Sequence, residues 1–105
     1  MSETVRFTAP LRMWRNERWN GLGYVMIEGE AADAIRGHEL MRRLELGKRR
    51  GMGSVKVSAT VGASTWPTSV FPPKDGGWFM PVKRAIVLAE DLAEGEPASY
   101  ELELL

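Results

Sequence analysis

Apolar and polar residues alternate at the start of the chain, where Val5, Phe7, Ala9, Leu11 and Met13 are separated by Arg6, Thr8, Pro10 and Arg12. A period of two belongs to a strand with one buried face, so a β-strand is expected here. Pro10 falls on the other face, has no N–H to offer a neighbour, and marks an edge or a bulge. After the polar turn Arg15-Asn-Glu-Arg-Trp-Asn-Gly21, the run Leu22 to Ile27 predicts a second strand, and the two are expected to form a hairpin. The period then changes. Between Glu30 and Leu46, Ala31, Ala34, Ile35, His38 and Met41 share one helical face, Leu40 and Leu44 lie off it, and Gly37 is expected to break or bend the helix.

The clearest alternation follows a basic glycine loop, Gly47-Lys-Arg-Arg-Gly-Met-Gly53: Val55, Val57, Ala59 and Val61 against Lys56, Ser58 and Thr60. Gly62-Ala-Ser64 reads as a tight turn into a strand from Thr65 to Phe71, with Trp66, Thr68 and Val70 on one face and Pro67 marking an irregularity. Pro72-Pro-Lys-Asp-Gly-Gly77 is turn chemistry, and Trp78 to Pro81 a short strand. Val82, Ala85, Ile86, Ala89, Leu92 and Ala93 then recur with helical spacing, and Gly95 stands where a C-terminal cap belongs. Ala98, Tyr100, Leu102 and Leu104 alternate with polar residues as a closing strand. About six strands and two short helices predict one mainly β domain over residues 1–105, built as a small barrel or pseudo-barrel, because closure removes the edges a flat sheet leaves open.

Composition changes this picture little. A chain of 105 residues with 44% hydrophobic and 27% charged residues has the balance of a globular domain rather than a disordered one. The 14 basic and 14 acidic residues cancel, which removes any general steering field toward nucleic acid or anionic membranes. Local asymmetry remains: Arg36 to Lys56 is basic, whereas Ala85 to Leu105 carries six acids and no base, and the two regions are expected to pair. Without cysteine there is no disulfide, thiol nucleophile or cysteine-ligated zinc. The first residues lack a secretory pattern, and the uncharged run Val57 to Pro73 is too polar and proline-rich to span a membrane, so a cytoplasmic location without membrane contact is expected.

Catalysis needs a positioned nucleophile, base or metal. The one histidine, His38, lies on a helix face and reads as a satisfied core or boundary residue. Gly51-Met-Gly-Ser54 precedes a strand rather than a helix, unlike a dinucleotide loop, and Ser54, Ser64 and Ser69 have no histidine partner in sequence context. No catalytic residue, metal site or cofactor is therefore expected. Two polar features remain. Arg42, Arg43, Lys48, Arg49 and Arg50 form a basic cluster suited to phosphate. Trp66, Phe71 and Trp78, with Lys74 and Lys83, are expected either to close the core or to wall an apolar pocket with a cationic mouth.

Phe7-Thr-Ala-Pro-Leu11 with Trp14, Arg50-Gly-Met-Gly-Ser-Val-Lys-Val-Ser-Ala-Thr60, Trp66-Pro-Thr-Ser-Val-Phe-Pro72 and Pro81-Val-Lys83, in this order, resemble a bacterial family catalogued as domain of unknown function 1905. The resemblance covers nearly the whole chain. It implies a double-split β-barrel capped by helices, related to the barrels of AbrB-like DNA-binding regulators, and no established activity, cofactor or catalytic residue. Glu28-Gly-Glu30 departs from the pattern, standing where relatives commonly place a proline, and Gly37 to Lys48 looks longer than usual.

The leading expectation is a noncatalytic binding or interaction module for a small anionic or aromatic ligand or a protein partner. A nucleic-acid binder acting through the basic cluster comes second. An enzyme using carboxylates such as Asp75 with Lys74 or Lys83 comes last.

Overall fold

The computed structural model describes residues 3–16, 19–47, 53–73 and 75–105. The first alternating segment does not run as one strand. It divides at Leu11 into β1 (Glu3–Pro10) and β2 (Arg12–Asn16), and each half joins a different sheet. β2 forms the hairpin with β3 (Trp19–Ile27), while β1 pairs along its whole length with β7 (Pro97–Leu104), from Glu3 opposite Leu104 to Pro10 opposite Pro97. The expected hairpin therefore holds only for the second half of the segment. Leu11, buried at the division, is held by the loop before β7: its carbonyl accepts the Gly95 N–H at 2.8 Å.

β4 (Val55–Val61) and β5 (Ser64–Val70) form the second hairpin, closed by Gly62-Ala63. Gly62 has φ +57°, a conformation that a two-residue hairpin requires and that a side chain resists. The larger sheet has the order β1-β7-β4-β5; the smaller is β2-β3-β6, with β6 spanning Trp78–Val82. Both are antiparallel. The mainly β expectation holds, but the expected closure is incomplete. The sheets meet where the chain bends at Leu11 and where Phe71 and Phe79 exchange two backbone hydrogen bonds of 2.9 and 2.8 Å. β1 and β5, at the edges of the larger sheet, each carry one proline, Pro10 and Pro67, as the missing N–H demands.

One core lies between the sheets and takes the inward residues of nearly every strand, among them Val25, Val57, Met80, Leu102 and Leu104. α1 (Gly29–Leu46) covers it with Ala31, Ala32 and Ile35. Gly37 does not break this helix, which is eighteen residues long in all and ends at Gly47, through that residue's φ of +73° and its N–H bond to the Arg43 carbonyl. α2 is much shorter than the spacing predicts: it covers only Arg84–Ala89. Asp91 adopts φ +52°, its N–H bonds the Leu88 carbonyl, and the Leu92 N–H bonds the Val87 carbonyl at 2.9 Å. That pair of bonds is a Schellman stop, with Asp91 in the role expected of Gly95. Leu92 and Val87 both pack on the core across the stop.

Candidate functional site

The two sheets treat their outer faces differently. On the larger, the outward residues are polar: Arg6 pairs with Glu101 at 2.8 Å, the Thr8 and Ser99 hydroxyls meet at 3.1 Å, and those of Thr60 and Thr65 at 2.9 Å. This is the ordinary alternation of an antiparallel sheet with one wet face. On the smaller, the outward positions of β3 and β6 are apolar as well. Leu22, Tyr24 and Met26 alternate with inward Gly23, Val25 and Ile27, and Phe79 with inward Trp78 and Met80.

Registry brings these outward residues together. Trp14 lies opposite Leu22, and Phe79 opposite Met26. Tyr24 and Phe79, diagonal neighbours on adjacent strands, stack with ring centroids 4.9 Å apart. The result is an open groove of ≈ 420 Å³ walled by Trp14, Leu22, Tyr24, Met26 and Phe79 and rimmed by Pro73 and Asp75. Trp14 is 48% exposed, large for an indole that has neighbours to pack on. The pairing of β2 with β3 shifts by one residue between Trp14 and Asn16, beside Gly21, whose φ of +136° suits a bulge. This irregularity adjoins Trp14 and Leu22, where bulges commonly re-aim side chains.

Further along β3, Tyr24 also walls a recess of ≈ 340 Å³ that includes Arg12, Met13 and Glu94. Nearby, Arg15 donates two hydrogen bonds to Glu94, at 3.1 and 3.3 Å, which together with the carboxylate's charge raise the pKa of its guanidinium.

The residues singled out from sequence are mostly elsewhere. Trp66 and Trp78 are each 3% exposed and belong to the core, the first of the two roles expected for them. The Trp78 indole N–H donates to the Ala32 carbonyl at 3.1 Å and ties β6 to α1. Phe71 is partly exposed beside Phe79 in the backbone pairing, and Lys83 is exposed at the start of α2, outside the groove. Lys74, Lys48, Arg49 and Arg50 lie outside the described residues. Of the basic cluster, Arg42 donates to the Leu105 carbonyl at 2.9 Å and Arg43 lies 3.6 Å from Glu39, so both are engaged within the chain. Among the described residues, two acids of the C-terminal third pair with β1 and β2, Glu101 with Arg6 and Glu94 with Arg15. His38 is a satisfied boundary residue: Nε2 contacts the Leu105 carbonyl at 3.2 Å, and Nδ1 lies 3.8 Å from Glu3. The Ser64 hydroxyl donates to Glu90, fastening the β4–β5 turn to the end of α2. Asp75 stands exposed on the groove rim.

Sequence reasoning missed Trp14, Leu22, Tyr24, Met26 and Phe79 as a group. The signal was present as a failure of alternation, since Leu22 to Ile27 and Trp78 to Val82 are apolar on both faces.

No helix among the described residues is long and apolar enough to cross a membrane. A family model described as a domain of unknown function (DUF1905) matches residues 7–102. No curated protein matches the chain.

Proposed function

The chain belongs to the DUF1905 family, whose description assigns no activity, so we propose its function from its own surface: a noncatalytic binding module that recognises a flat apolar group on the outer face of β2-β3-β6. The observation that carries this reading is the contrast between the two sheets, one dressed with ion pairs and hydroxyls, the other with Trp14, Leu22, Tyr24 and Phe79. Contiguous exposed apolar surface is costly in water and marks interaction sites. Aromatic rings supply large contact area while losing little side-chain entropy. The walls of the groove are held by strand registry, so a guest meets a preformed surface.

The test is a titration of isotope-labelled protein with indole, followed by NMR. Saturable shifts are expected at Trp14, Tyr24 and Phe79, with a dissociation constant on the order of 1 mM for so small a ligand. Trp14→Ala should weaken binding at least about fivefold. Its melting temperature should stay within about 2 °C of the parent, because Trp14 is half exposed. Indole shifts confined to the surroundings of buried Trp66 and Trp78, or absent at ~10 mM, would overturn the reading.

A further inference from the structure

The aromatic groove does not end at Met26. Met26 and Asp75 also wall a second recess of ≈ 360 Å³, which continues to the start of α1 and is lined by Glu28, Asp33, Arg36 and the Gly76-Gly77 turn. Its charged groups among the described residues are three carboxylates, Glu28, Asp33 and Asp75, against one guanidinium. That guanidinium, Arg36, is already committed to Asp33 at 3.2 Å. The first turn of α1 brings the partial positive charge of a helix N-terminus, about half a unit, and Glu30 in that turn offsets it. An apolar aromatic groove thus opens directly into a recess whose described charged groups are predominantly carboxylates.

Resting on the binding role above, we propose that the groove receives an extended peptide segment of a partner protein carrying an aromatic residue and, two positions on, a lysine or arginine. The spacing follows from the shared walls. Tyr24, Met26 and Glu28 are alternate positions of one extended segment and line, in turn, the groove, both the groove and the second recess, and the second recess; an extended peptide likewise carries its alternate side chains on one side, roughly 6.5–7 Å apart. The aromatic side chain lies among Trp14, Tyr24 and Phe79, and the basic one passes Met26 to reach Asp75, Asp33 and Glu28. Contiguous open compartments suit a peptide better than one compact ligand, which would fill a single recess and leave the other wet. Because the carboxylates are solvent-exposed, the ion pairs contribute selectivity more than affinity and weaken with salt.

Three synthetic peptides test this against the full chain by NMR: acetyl-Phe-Ser-Lys-amide, acetyl-Phe-Ser-Gln-amide and acetyl-Phe-Ser-Glu-amide, each at ~20 and ~300 mM salt. The lysine peptide is expected to bind about fivefold tighter than the glutamine peptide at low salt, and the glutamate peptide more weakly than both. The preference should collapse at high salt, and in the double variant Asp33→Asn, Asp75→Asn, whose unchanged spectrum elsewhere would confirm an intact fold. Equal affinities, or tightest binding of the glutamate peptide, would overturn the basic-partner inference while Trp14 shifts by all three peptides still upheld the aromatic site. Absence of shifts with all three peptides and with indole would remove both readings.

Discussion

Tyr100 is 2% exposed, stacks on Phe7 with ring centroids 5.3 Å apart, and carries a buried hydroxyl with no hydrogen-bond partner among the described residues. Desolvation raises its pKa above the ordinary value of 10.0. Below pH 10 the phenol is neutral in both folded and unfolded chains, so folding keeps its full stability with respect to this group. As the pH rises past the unfolded value toward the raised folded one, the unfolded chain ionises first and stability is lost. Tyr100→Phe removes the orphan hydroxyl and the titration together. In urea unfolding it is expected to add about 1 kcal/mol at pH 7 and to flatten the decline between about pH 9 and 11. A loss of stability at pH 7 with the alkaline decline unchanged would mean that the hydroxyl has a partner. The inward position of Tyr100 is legible from alternation with Leu102 and Leu104, but its unpaired oxygen is not, since that depends on what the facing strands present. His38 was legible too, because a lone imidazole at a helix–sheet boundary commonly finds a backbone carbonyl, here that of Leu105.

At the scale of elements, α1 shows what helical spacing can and cannot reveal. Its first half is fixed by Ala31, Ala32 and Ile35 in the core, while Leu40, Met41 and Leu44 in the second half are exposed. A methyl group added at Gly37 would meet nothing within 4 Å. Gly37→Ala is therefore expected to stabilise the protein by about 1 kcal/mol, read as a rise in melting temperature with an unchanged fold. A fall would show that the glycine serves a contact. β4 and β7 were readable because each has one wet face and one dry face, the condition under which a period of two survives. β3 and β6 lack a wet polar face, so the same test registered strands without showing that their outer sides form a groove. α2 failed for a different reason. Leu92 keeps the helical period but reaches the core from beyond the Schellman stop, so periodicity extended a helix that the Asp91 backbone had ended. Asp is one of the few residues that enters the left-handed region readily, and nothing in the apolar pattern signals it.

The whole molecule has two sheets and one core, and this decides how it unfolds. Leu102, fully buried in β7 of the larger sheet, belongs to the same cluster as Val25 and Met80 of the smaller one. Leu102→Ala is expected to cost about 2–5 kcal/mol, a large share of the 5–15 kcal/mol typical of a domain. Circular dichroism and NMR signals from both sheets should still be lost in a single urea transition. Separate transitions would mean that the sheets are independently stable units. The mainly β class was legible from the chain. Where the sheets part was not, because it turns on Leu11 meeting Glu94 from the far end of the chain and on a Phe71–Phe79 pairing that joins strands of different sheets. Incomplete closure has a further consequence through the prolines of β1 and β5. Of the strands that border the larger sheet, β5 has its row of backbone donors interrupted at Pro67, and that of β1 ends at Pro10. A second molecule adding a strand along either margin meets a proline that offers no N–H, which discourages the edge-to-edge pairing that seeds fibrils.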